Sequence, residues 1–129
     1  MKIEVTFPGG LAVDATLGSY TVKTDQPAAY GGGGTAPSPF EYFISSVATC
    51  AGYFAVAFCR ERGISTEGMK LTASFEKDPE TKVLSRVAID LKLPEDFPEK
   101  YHKAIIRTMD QCSVKKAILA QPSFEIGLS

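Results

Sequence analysis

A chain of 129 residues with 14 basic and 15 acidic side chains carries a net charge of -1 and a pI near 5.8. This length suits a single domain, residues 1–129, with a modest core. Near-neutral charge without a basic run argues against a nucleic-acid or polyanion partner. Three cysteines with no C-x-x-C pair do not make a secreted disulfide framework and point instead to free or redox-active thiols. The opening MKIEVTFPGG is a strand pattern broken by Pro-Gly-Gly rather than a secretory leader, so a cytoplasmic location is expected.

In chain order, Lys2 to Phe7, Leu11 to Leu17 and Tyr20 to Thr24 are runs rich in Val, Thr, Ile and Tyr, separated by Pro-Gly-Gly and Gly-Ser. They predict an antiparallel meander. Asp25 to Pro37, with four successive glycines, reads as a flexible connection, since it lacks the Lys-Ser/Thr of a phosphate loop. From Pro39 to Gly63 runs the one long apolar segment, uncharged between Tyr42 and Cys59. Ser38 as N-cap, Pro39 in the first turn, and Arg60, Arg62 and Gly63 at the end mark a helix buried on nearly all sides.

Eighteen uncharged residues also reach the lower bound for a membrane span. Interruption by Ser45, Ser46, Thr49 and Gly52, and flanking strands, favour a central helix wrapped by sheet, with no membrane partner.

Met69 to Lys77 and Lys82 to Leu93 then alternate as a hairpin around Asp78-Pro79-Glu80-Thr81, with a type I turn expected. A helix is predicted from Glu95 through Met109, another from Cys112 to about Ala120, and a last strand from Phe124 to Leu128. Three strands, a long helix, two strands, two helices and a strand make an α+β plan.

The candidate chemistry is sulfur. Cys50 and Cys59 lie nine residues apart, which at about 100° per residue puts them on opposite faces of one helix. Cys112 opens a helix, with Lys115 and Lys116 one turn on, and so has the clearest local means of stabilising a thiolate. Cys50, in mid-helix, would have to draw its activation from elsewhere in the fold. Either can also be read as a small buried hydrophobe, which is the preferred reading for Cys59. His102, the one histidine, falls on a polar helix face as a solvated side chain, and no metal-ligand spacing or cofactor motif is present. Glu41 sits in the first helical turn, where it complements the helix dipole. Its other candidate role is to support Cys50 by orienting a cation or a peroxide.

The helix opened by S-P-F-E and carrying A-T-C, followed about sixty residues later by Q-C-S-V at a helix start, resembles the OsmC/Ohr family of osmotically inducible and organic hydroperoxide resistance proteins. The resemblance spans essentially the whole chain. It implies an OsmC-like fold, an intertwined homodimer with the long helices at its centre, and a thiol-dependent peroxidase. Cys50 would match the peroxidatic cysteine and Cys112 the resolving one, with a hydroperoxide as substrate and a dithiol, lipoyl-type in one branch, as reductant. Two positions depart from the family pattern. Leu11 follows Gly9-Gly10 where the family's arginine stands, and Phe40 follows Pro39 where the family has Glu. A more apolar pocket of this kind also suits a non-catalytic homodimer that binds a small apolar or thiol-reactive ligand beside Cys50.

Overall fold

The computed structural model describes residues 1–129, and they fall into two compact units, Met1–Ser45 and Ser46–Ser129. In the first unit, β1 (Glu4–Gly9), β2 (Ala12–Leu17) and β3 (Tyr20–Thr24) form an antiparallel sheet in sequence order. Asp14 lies opposite Lys23, an attractive cross-strand pair.

The glycine run that follows is pinned, contrary to the flexible connection expected. Asp25 is only 3% exposed, and its carboxylate accepts the Gln26 N–H at 2.7 Å and the Thr35 hydroxyl at 2.7 Å. Gly32 passes so close to Gln26 that a Cβ would lie 1.9 Å from the Gln26 carbonyl oxygen. Only a residue without a side chain fits there. Close approach of backbone to backbone, rather than freedom, explains the glycine.

The loop leads into α1 (Pro39–Glu61). Glu41 N–H donates to Ser38 Oγ at 3.3 Å while Ser38 N–H donates to the Glu41 carboxylate at 2.7 Å. Two otherwise orphaned amides are thus satisfied reciprocally in a capping box. At the other end Gly63 takes φ +64°, and Ile64 N–H reaches back to the Cys59 carbonyl at 2.9 Å. The predicted stop is met for the predicted reason.

In the second unit, β4 (Lys70–Lys77) and β5 (Leu84–Lys92) pair antiparallel, with Leu71 opposite Leu91 and Phe75 opposite Val87. Asp78 closes their turn by accepting the N–H groups of Glu80 at 2.9 Å and Thr81 at 2.8 Å. The core gathers Ala51, Ala55, Phe58 and Cys59 from α1 with Phe97, Ile105 and Met109, and Leu71 and Leu91 pack against it. Small residues on α1 let its neighbours approach closely, and Phe58 and Phe97 fill the space left over, with ring centroids 6.3 Å apart. The mixed α+β class read from the sequence is what the structure shows.

Three expectations need correction. The helix expected from Glu95 is a turn and a short 3-10 segment, Glu99–Tyr101, before α2 (His102–Met109). Pro98 offers no N–H and holds the residue before it out of the helical region. The last strand is not formed: Phe124, Ile126 and Leu128 are 85%, 98% and 105% exposed and residues 121–129 carry no regular structure. A strand needs a neighbour for its amides and carbonyls, and none pairs with this segment.

Nor is α1 buried on nearly all sides. Val47, Ala51, Ala55, Phe58 and Cys59 are buried, whereas Tyr53 and Val56 are 65% and 46% exposed, because the core covers one face only. By length and composition α1 could cross a membrane. One of its faces lies in the protein core.

Two outcomes test these contacts. Ile105, 1% exposed, is central to the core, so Ile105→Ala should cost about 2–5 kcal/mol in urea unfolding. Hydrogen bonds from Thr35, then Gln26, hold the Asp25 pKa at about 2 against an ordinary 3.8, so the folded chain binds this proton later than the unfolded one. The stabilisation is present above pH 3.8 and is lost as pH falls through about 2. Asp25→Asn should therefore lower Tm at neutral pH, and its gap to wild type should close on acidification across that window.

Candidate active site

The link between α2 and α3 (Ser113–Leu119) builds the site. Cys112 is the N-cap of α3, its Sγ accepting the Lys115 N–H at 3.4 Å and its N–H donating to the Met109 carbonyl at 3.2 Å. Sulfur is a weak acceptor and an uncommon cap. Its presence places a thiol at the one bend where the chain turns back towards α1.

Cys50, midway along α1, meets that bend. Its Sγ lies 3.7 Å from Ser113 Oγ. The Val114 N–H and then the Cys112 thiol hydrogen-bond to it and, despite some desolvation, hold its pKa at about 7 in place of 9.0. Cys112, only 2% exposed, moves the other way. Burial comes first, and donation of its thiol proton to Cys50 second, in pushing its pKa up. One sulfur is thus prepared as a thiolate and its neighbour as the thiol that hydrogen-bonds to it.

This reverses the sequence expectation that Cys112 has the better-stabilised thiolate. The helix start is real, but its lysines are engaged locally, Lys115 with Asp110 and Lys116 with Gln111. The amide that counts, Val114 N–H, serves Cys50. Donors that lower the Cys50 pKa are all neutral. Arg86 pairs with Glu76 at 2.7 Å.

Glu41 stands nine residues before Cys50 on α1, about 13 Å of helix rise, and its carboxylate is engaged with Ser38. The structure does not bring it to the two sulfurs. Cys59 is wholly buried in the core with its pKa raised by desolvation. His102 is exposed and stacks on Phe97, 5.8 Å between ring centroids. No group of three or more His, Cys, Asp or Glu side chains is placed to hold a metal ion.

Sequence reasoning missed Val114 and Ser113 as part of the site. A backbone amide leaves no trace in residue type, so Val114 could not have been found that way. Ser113 could have been, because its hydroxyl directly follows Cys112 in the sequence. A cavity of about 500 Å³ adjoins the pair, walled by Val47, Ala51, Met109, Cys112 and Ile118 among others, with Arg86 and Lys115 also lining it.

Comparison with known proteins supplies context for this geometry. The family model described as OsmC-like protein matches residues 31–127. No curated protein matches the sequence. Among solved structures, a protein of Psychrobacter arcticus 273-4 described in terms of osmotic stress induction and a detoxification response shares 24% identity, with TM-score 0.75 over 91% of this chain and 87% of that one. The organic hydroperoxide resistance protein OsmC of Legionella pneumophila shares 22% identity, with TM-score 0.59 over 92% and 89%. OhrB of Bacillus subtilis, also an organic hydroperoxide resistance protein, shares 21%, with TM-score 0.54 over 94% and 93%. At these identities the likeness is one of fold.

The prepared thiolate has a direct readout. The rate of Cys50 alkylation by iodoacetamide, followed by peptide mass, should rise with pH through a midpoint near 7. Cys112→Ala should move that midpoint up, and Cys112→Ser should move it less, since a hydroxyl still donates. A midpoint unchanged in both variants would exclude the Cys112 hydrogen bond as a cause.

Proposed function

Because the chain belongs to the OsmC-like protein family, we propose that it is a thiol-dependent peroxidase that reduces organic hydroperoxides through Cys50 and Cys112. The observation that carries this reading is the pairing of a low-pKa Cys50 with a protonated Cys112 that hydrogen-bonds to it. The Cys50 thiolate attacks one oxygen of the O–O bond, forming S–O and releasing an alkoxide, which takes the Cys112 proton and leaves as the alcohol. Cys112 thiolate then attacks the Cys50 sulfenic acid, forming the disulfide and expelling hydroxide, which is protonated by solvent. A dithiol returns both cysteines to thiols, its own two sulfurs joining as a disulfide.

No cofactor or metal enters this cycle. Glu41 is assigned to the helix start, where it supports α1 rather than the reacting atoms. The working form in this reading is a homodimer in the cytoplasm, where thiols are kept reduced. Exposed Tyr53 and Val56 on α1, and the apolar tail residues Phe124, Ile126 and Leu128, support self-association.

A second reading is favoured by one observation. Leu11 and Phe40 occupy the places of the family's charged pair, and the cavity beside Cys112 is largely apolar, which suits a homodimer that binds a small apolar or thiol-reactive ligand without turnover. A dithiothreitol-linked assay with cumene hydroperoxide separates the two. Turnover by wild type with at least a hundredfold loss in Cys50→Ser supports the peroxidase; equal rates eliminate it. One equivalent of hydroperoxide should also yield a Cys50–Cys112 disulfide by peptide mass mapping, and retention of both free thiols would favour the binding reading.

A further inference from the structure

Two neighbours in the chain stand at the bend that meets α1, Cys112 buried and Ser113 exposed. Ser113 Oγ lies 3.7 Å from Cys50 Sγ, within the range of a hydrogen bond to sulfur. Backbone contacts hold the bend, the Cys112 N–H donating to the Met109 carbonyl at 3.2 Å and the Cys112 carbonyl accepting the Lys116 N–H at 3.0 Å. The hydroxyl is one bond from Ser113 Cβ, so its place beside Cys50 depends on no long side chain. A hydroxyl also donates one hydrogen bond while accepting others, which is what a proton relay requires.

We propose that Ser113 is a catalytic residue of the resolving step, passing a solvent proton to the oxygen that leaves Cys50 as the disulfide forms. The proposal rests on the peroxidase reading and supplies a route for a proton that the cycle needs at that point. Cys112 is no source of it. In the cycle Cys112 has already given its own proton to the departing alkoxide, it attacks as a thiolate, and its side chain is 2% exposed. Lys115, the charged side chain of the same turn, is held by Asp110.

Ser113 has both contacts that the task calls for. The oxygen of a sulfenic acid on Cys50 is one covalent bond from the sulfur that Ser113 Oγ already approaches, and the exposure of Ser113 lets its proton be replaced from outside. Hydroxide is a poor leaving group, so a proton delivered as the S–O bond breaks lowers the barrier.

The step balances. Cys112 thiolate bonds to Cys50 Sγ, and the electron pair of the S–O bond leaves with the oxygen. That oxygen takes the Ser113 proton and departs as water, while Ser113 Oγ takes a proton from a solvent water and leaves hydroxide in bulk. Cys112 sulfur is oxidised and Cys50 sulfur reduced, each by one electron, and Ser113 ends as it began.

The test is a single turnover of the full-length protein with one equivalent of cumene hydroperoxide, quenched at intervals and mapped by peptide mass. Parallel samples contain dimedone, which captures Cys50 as its sulfenic acid, and loss of hydroperoxide is followed throughout, so that attack and resolution are timed separately. In Ser113→Ala, conversion to the Cys50–Cys112 disulfide should slow at least about tenfold, by more than loss of hydroperoxide slows, with a rise in the dimedone adduct. Ser113→Thr and Ser113→Val have the same shape and differ by the hydroxyl, so a packing role would affect them alike; Thr should restore resolution and Val should not. Equal resolution in wild type and Ser113→Ala, or in the Thr and Val variants, overturns the role of Ser113 and leaves the peroxidase reading intact. Hydroperoxide that leaves both cysteines of wild type as free thiols overturns both.

Discussion

The contacts that converge on Cys50 Sγ, with Ser113 Oγ at 3.7 Å and with the Val114 amide and Cys112 thiol that lower its pKa, are the constraint to which the rest of the second unit answers. They require the middle of α1 to meet the first turn of α3 at hydrogen-bonding range. That meeting requires a sharp bend after α2, which Asp110 and Gln111 provide between two helices too short to stand alone. Tertiary packing holds those helices in place: Ile105 and Met109 anchor α2 in the core, one turn before the bend. The chemistry of the sulfur pair therefore depends on aliphatic contacts that touch neither sulfur.

Stabilisation of a thiolate by neutral donors has a consequence for specificity. An arginine near the sulfur would offer a charged hydrogen-bond donor to substrate as well as to the thiolate. Here the donors are an amide, a thiol and a hydroxyl, and the adjoining space is largely apolar. Neutral donors alone thus hold the Cys50 pKa at about 7.

The exposed face of α1 and the unpaired apolar tail are more hydrocarbon than an isolated domain of this size has reason to expose. Alternation of Phe124, Ile126 and Leu128 with polar or small residues is a strand pattern still without a neighbour. Sequence and structure differ at that segment because the pattern specifies a strand, while no strand of the chain pairs with it.

Local signals determined the elements. The capping box of Ser38 and Glu41, the glycine stop at Gly63, and the alternation that pairs Leu71 with Leu91 all act within a few residues or between adjacent strands, so residue order suffices to read them. The family was also legible, as were two cysteines that the fold brings to one bend. Tertiary structure alone decided which of the two carries the lower pKa. Proton affinity at sulfur is set by donors and burial in three dimensions, and the amide that favours Cys50 belongs to a residue sixty-four positions away in the chain.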